Sequence, residues 1–312
     1  MGPPTSPFGR DCAIFRIRSQ NRKLLTRKTI ENSTLTQNLP NFKLKPGTPP
    51  VLEVENAAAS ARISLFGGQV LSYIPKHDMR DRLWLSKKAI WDGSKSIRGG
   101  VPICWPWFGQ HPDNSQSMHG YVRTRMWQVQ VSNQHENSTS LTLAPLDCQG
   151  AGFDAKASLS LRLTIGAELS MKLVTTNIDT KPFTYTCALH SYFNVEDIHK
   201  TGLSGLSGDY ADKPRDFRIF PTPEPYRFTE ETDRIHLTSA AKVNIISETF
   251  QIAILSAGHD SIVVWNPWHE NSALLEDMEN DGYRKMLCVE TAITSGKSLA
   301  PGDSHVIEQI IR

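Results

Sequence analysis

What this chain of 312 residues lacks narrows its chemistry first. No Cys-x-x-Cys pair occurs, so the thiolate spacing of a structural zinc site is missing. The five cysteines are odd in number, and Cys104, Cys148, Cys187 and Cys288 each stand alone beside apolar residues or proline. That is the pattern of reduced thiols in a cytoplasmic protein rather than of a disulfide framework. No stretch approaches the about 20 apolar residues that span a bilayer. A net charge of +2 provides no basic field for nucleic acid. Gly99-Gly100 is not followed by the Gly-Lys-Ser/Thr and helix of a phosphate-cradling P-loop, and no Gly-x-Ser-x-Gly elbow is present. Helical periodicity is scarce too: only residues 271–280, NSALLEDMEN, carry it, with Asn271 as the expected N-cap.

Acidic residues are nearly missing from the first 47 positions. Arg10, Arg16, Arg18, Arg22, Lys23, Arg27 and Lys28 stand there against only Asp11 and Glu31. Residues 1–47 are therefore expected to form a basic disordered tail; an organelle transit peptide is the alternative. The folded domain is expected over 48–312.

What is abundant is period-two alternation. VLEVEN (51–56), ARISLF (61–66), QVLSYI (69–74), ASLSLRLTI (157–165), AELSMKLVTTN (167–177), FTYTCAL (183–189), SIVVWNP (261–267), KMLCVETAI (285–293) and HVIEQIIR (305–312) all alternate apolar with polar residues. Such runs put one face on a core and the other on solvent or a second sheet. Gly67-Gly68 and Gly166-Ala167 separate neighbouring runs as hairpin turns do. Many strands with short turns and no repeat or linker predict an all-β protein, a single large antiparallel sandwich.

Residues 97–127 gather Trp105, Trp107, Trp127, Arg98, Arg123, Arg125, His111 and His119 around three prolines and Gly99-Gly100. The segment reads as a loop wall laying aromatic faces and cationic forks against a polar, anionic ligand such as a sugar derivative. Gly120 leaves room to bring His119 against a ligand. Two guanidinium groups converging on one point suit a phosphate monoester, though each arginine could equally be a surface residue. For Arg125 the surface reading is the favoured one. His111, His119 and Asp113 lack the spacing of a metal cluster.

His190, at the end of TYTCALHSYFNV, is a possible general acid or a satisfied core histidine. Glu290 lies in MLCVETAI with Met286, Cys288 and Ala292 on its face. A carboxylate there costs several kcal/mol unless paired or used. Burial would raise its pKa, as a base acting on a weakly acidic hydroxyl requires; a buried salt bridge is the alternative. Asp233 could accept from sugar hydroxyls or be a turn carboxylate, and Trp265 with Trp268 could be a stacking surface or a packed corner.

Taken together, IRGGVPICWPWFG, MHGYVRTRMW, ALHSYFNV, VVWNPW and MLCVETAI closely resemble the aldose 1-epimerase (galactose mutarotase-like) superfamily, and within it the glucose-6-phosphate 1-epimerase branch. The resemblance spans about residues 48–312. It implies a galactose mutarotase-like supersandwich that interconverts the anomers of a hexose 6-phosphate by acid–base ring opening, without cofactor or metal. His190 would be the acid and Glu290 the base; His119 and Asp233 would hold the sugar, and Arg98 and Arg123 its phosphate. Tyr121-Val122 stands where Phe-Ala is usual, and Ser191 where Thr is common, which bears on fine specificity. Other functions for these residues are a mutarotase of unphosphorylated aldoses, a non-catalytic sugar-binding sandwich, or a glycoside hydrolase using Glu290 with Asp233. The expected partner is the sugar phosphate alone, bound by a cytoplasmic monomer that touches neither nucleic acid nor membrane.

Overall fold

Alternation becomes pairing almost wherever it occurs. The structure, a computed structural model, describes residues 42–312. Ala157–Ile165 and Leu169–Asn177 form a hairpin across the predicted turn, registered from Ala157 opposite Asn177 to Ile165 opposite Leu169. Leu159, Leu161, Leu163 and Ile165 point inward while Ser158, Arg162 and Thr164 are exposed. Each inward Leu or Ile removes apolar surface worth about 1.5–3 kcal/mol. Ala59–Ser64 and Gln69–Pro75 likewise pair about Gly67-Gly68.

These hairpins assemble into antiparallel sheets, the expected all-β sandwich. A nine-stranded sheet runs from Tyr226–Arg227 at one edge to Trp127–His135 at the other. An eight-stranded sheet is ordered Arg218–Pro221, Asp209–Asp212, Thr232–Leu237, Ser261–Asn266, Met286–Leu299, Phe183–Leu189 and Ile103–Cys104; Tyr192–Asn194 also pairs with Met286–Leu299. A four-stranded sheet is built from Phe42–Lys45 through Gln69–Pro75. No helix among the described residues is long and apolar enough to cross a membrane.

Two expectations are displaced. The strand Phe42–Lys45 pairs with Val51–Glu55, Phe42 opposite Val54 and Lys45 opposite Val51, so folded structure starts before Gly47. Its four residues alternate Phe, Lys, Leu, Lys, too short a run to stand out beside a basic tail. The tail's other expected properties lie outside the described residues. The helix expected from Asn271 instead spans Trp268–Leu274 and follows Pro267, with no side-chain cap.

The aromatic segment is also corrected. Trp105 and Trp127 are fully buried and Trp107 is 7% exposed, so these indoles fill the core rather than face a ligand. Trp105 packs edge-on against Tyr121 and Phe153, and Trp127 donates from Nε1 to the Val122 carbonyl at 3.0 Å. The prolines exclude regular structure but not burial, because one hydrogen-bonded indole can bury more apolar surface than any aliphatic side chain.

Candidate active site

The strand Met286–Leu299 lies inside its sheet, and its first eight residues are buried on both faces. Glu290 sits there opposite Val263 and is 1% exposed. His190 follows immediately on Phe183–Leu189, the neighbouring strand, its backbone N–H held by the Pro102 carbonyl at 3.0 Å. The two side chains meet: His190 Nε2 is 3.4 Å from Glu290 Oε1. Gln309, from the opposing nine-stranded sheet, fixes both segments from behind. It accepts from Ser191 Oγ and donates from Nε2 to the Val289 carbonyl (3.1 Å) and to Thr291 Oγ1 (2.9 Å).

Two polar atoms of this pair, His190 Nδ1 and Glu290 Oε2, are buried with no hydrogen-bond partner. Leaving such atoms unpaired costs about 1–3 kcal/mol each, which a structural salt bridge would avoid. Burial raises the Glu290 carboxyl well above the usual carboxylate range, and the nearby Asp233 charge adds to it. The direction is the one its strand position predicts. Burial pushes His190 down to about 3, helped by Arg123 and Arg98. Desolvation outweighs the attraction between the two groups and disfavours the charged form of each.

His119 reaches the same place from the aromatic segment. Its ring meets His190 edge-on, centroids 5.6 Å apart. It adopts φ +64°, and Gly120 follows at φ +69°, where a Cβ would lie 1.9 Å from the Trp105 carbonyl oxygen. Only glycine fits that approach. His119 Nδ1 accepts from the Gly109 N–H at 3.1 Å, which forces the proton onto Nε2 and makes the ring a fixed donor. Burial and the Arg123 charge keep it neutral.

Beside the dyad a cavity of about 330 Å³ is lined by Ser94, Lys95, Arg98, Ser117, Arg123 and Tyr192. Arg98 is clamped by Asp277 Oδ1 at 3.1 Å and the Tyr192 hydroxyl at 3.0 Å. Arg123 lies in the 3₁₀ turn Val122–Thr124 rather than in a strand, donating to the Met118 carbonyl at 2.7 Å. The two guanidinium groups thus share one concavity, with Ser96 Oγ buried and unpartnered behind it. Arg125 turns away, its guanidinium 5.6 Å from the Tyr121 ring centre. His111 pairs with Asp113 and the Gly152 carbonyl, outside this group.

On the other side, Asp233 lies within the strand Thr232–Leu237 rather than in a turn, opposite Trp265. Burial raises its carboxyl and an ion pair with Lys213, 2.7 Å away, opposes that rise. Trp265 packs edge-on against both His190 and Tyr192. Sequence reasoning did not single out Tyr192, Asp277 or Lys213. Tyr192 carried a signal: two positions after His190, it shares that residue's face and stacks on its ring at 4.9 Å and 11°. Lys213 and Asp277 sit in turns whose partners are distant in sequence, and no local pattern marks them.

His190, Cys288 and Glu290 bring possible metal-ligating atoms within 4.8 Å of one another. The chemistry of the set opposes a dication: burial raises the thiol well above its usual range, and Arg98, Arg123 and Lys213 act on the pair. What the arrangement suits is proton exchange between two neutral groups in a dry, cationic cleft.

Residues 50–312 match the aldose 1-epimerase family profile. Over 262 residues the chain is 34% identical to a candidate glucose-6-phosphate 1-epimerase of Cenchrus ciliaris, covering 78% of each protein. Over 252 residues it is 31% identical to a protein of the same description from Escherichia coli K12, covering 78% of this chain and 83% of that one. Among solved structures, a candidate mutarotase from Salmonella typhimurium superposes with a TM-score of 0.82 at 30% identity, over 88% of this chain and 94% of that one.

Proposed function

The chain belongs to the aldose 1-epimerase family and is an isomerase of that kind, and on this premise we propose that it interconverts the α and β anomers of glucose 6-phosphate. The observation that carries the substrate is the cavity pairing Arg98 with Arg123 beside the His190–Glu290 dyad. Planar guanidinium forks bind a phosphate bidentately, and a neutral sugar would have no use for two of them. The relatives described as glucose-6-phosphate 1-epimerases support the same reading. The buried thiols Cys104, Cys187 and Cys288, free among the described residues, favour the cytoplasm as its compartment.

The chemistry follows from where the protons are. In the empty cleft the shared proton rests on Glu290. A phosphate dianion on Arg98 and Arg123 offsets two of the charges that hold His190 down, and the imidazole then takes the proton across 3.4 Å. Glu290, now a carboxylate, removes the proton of the anomeric hydroxyl while His190 protonates the ring oxygen. Both oxygens are bonded to C1, so a closely spaced donor and acceptor suit them. The C1–O5 bond breaks to give the aldehyde, C1–C2 rotates, and the reverse transfers close the other anomer. Each positioned proton-transfer group contributes about 10²–10⁴ in rate.

The test dissolves pure α-glucose 6-phosphate and pure α-glucose separately and follows the approach to anomeric equilibrium with a dehydrogenase selective for the β form. The expected result is acceleration of the phosphorylated sugar by at least tenfold over the free one at equal concentration. Equal acceleration of both would make the protein a mutarotase of unphosphorylated aldoses.

A further inference from the structure

Lys213 is the cation of this cleft that the proton-transfer scheme leaves without a task. Its ammonium donates to Asp233 Oδ2 at 2.7 Å, while Asp233 is only 16% exposed in its side chain and Lys213 41%. The short 3₁₀ turn that carries it, Lys213–Arg215, is anchored through its last residue. Arg215 bonds Asp212 Oδ2 at 2.7 Å and both oxygens of Glu230 at 2.8 Å, tying the turn to the segment that enters the Asp233 strand. A lysine serving only to neutralise Asp233 would need no such mounting.

Asp233 is one strand from Trp265 and two from the strand of Glu290, about 10 Å at normal strand spacing. A pyranose with C1 at Glu290 extends its remaining hydroxyls across the Trp265 ring toward Asp233. An ionised carboxylate can only accept hydrogen bonds, whereas each hydroxyl both donates and accepts. Lys213 supplies the missing half: among the described residues its ammonium makes one hydrogen bond, to Asp233, and two N–H groups are unassigned.

We propose that Lys213 and Asp233 together form a donor–acceptor clamp for two neighbouring ring hydroxyls, Lys213 being a specificity-determining residue for the sugar. The ammonium donates to one hydroxyl oxygen and the free Asp233 oxygen accepts from the adjacent O–H. Donor and acceptor sit at hydrogen-bond spacing, as the oxygens of a vicinal diol do. The assignment rests on the hexose 6-phosphate reading of the same cleft.

The experiment measures dissociation constants by calorimetry for glucose 6-phosphate and its 2-, 3- and 4-deoxy analogues, alongside anomer exchange rates. Wild type is compared with Lys213→Met, Lys213→Gln and Lys213→Arg. Lys213→Met should weaken glucose 6-phosphate about tenfold or more, the scale of a charged hydrogen bond. It should bind one deoxy analogue, itself weak on wild type, as well as it binds the parent sugar, with Lys213→Gln alike and Lys213→Arg recovering part of the discrimination. Equal weakening of all four sugars, or no weakening, overturns the clamp and makes Lys213 a partner of Asp233 only. If wild type shows this coupling but does not accelerate anomer exchange, the epimerase reading fails and the clamp stands. An active wild type without coupling fails the clamp alone.

Discussion

Replacing His190 by glutamine should change how stability depends on acid, and the sign follows from burial. His190 is 8% exposed and depressed from 6.5 to about 3, so the unfolded chain binds its proton first as pH falls. The contribution of the neutral ring is complete above pH 6.5 and is lost progressively on acidification toward 3. Across that window the loss is at most about 1.4 kcal/mol per pH unit, or about 2–3 kcal/mol between pH 6.5 and 4.5. Glu290 shifts the opposite way and contributes with the opposite sign, so its effect opposes that of His190 in wild type and cancels only in the comparison with the variant. Denaturant unfolding of wild type and His190→Gln at half-unit intervals measures it. The difference between the two proteins removes the contributions of His236, His259 and His305, which are depressed too. Wild type should lose stability faster than the variant below pH 6.5. Parallel curves would refute the dry, neutral imidazole and with it the resting protonation state of the pair.

Arg123→Ala should raise KM for glucose 6-phosphate by about 30-fold or more while changing KM for free glucose little, since among the described residues Arg123 is tied to a carbonyl alone and its guanidinium lines the cavity. Arg98→Ala is a poorer probe: it strands the buried Asp277 carboxylate and should cost about 3–5 kcal/mol in denaturant unfolding. Phosphite dianion added in trans should accelerate wild-type turnover of free glucose, and not that of Arg123→Ala, because the anion restores the charge balance around His190; no activation in rate assays would sink that coupling. Gly120→Ala should abolish activity and lower stability by several kcal/mol, because its methyl meets the Trp105 backbone at positive φ; circular dichroism melting against wild type shows it.

The parts of the fold legible in the sequence are those where period two runs long and one face is clearly apolar, as in 157–177 and 286–293. Glu290 stood out because a charge interrupts such a face, and His190 because it ends one. The region 209–237 was not legible: its strands are short and broken by Pro214, Pro221, Pro223 and Pro225, and Asp209–Asp212 pairs both with the next strand and with the more distant Thr232–Leu237. That is why Lys213 and its mount escaped notice. The tryptophans misled for a different reason. Aromatic and cationic residues crowd residues 97–127 because one segment serves both as core and as cleft, the indoles turned inward and Arg98, His119 and Arg123 outward. Composition cannot separate two faces of a segment that has no regular period. The height of the His190 pKa was equally invisible, since it depends on how dry the pocket is and on charges brought in from Arg98 and Arg123.

Whether His190 and Glu290 act as one proton-transfer unit is read most directly from the anomer exchange rate of glucose 6-phosphate at saturating sugar. Wild type, His190→Ala, Glu290→Gln and the double variant are compared after their folding and sugar binding are verified. Each single variant should lose about 10²–10⁴ in rate, and the double variant should be no slower than the worse single one, as groups acting together behave. Rates within a few-fold of wild type in either single variant, with binding intact, would contradict the account.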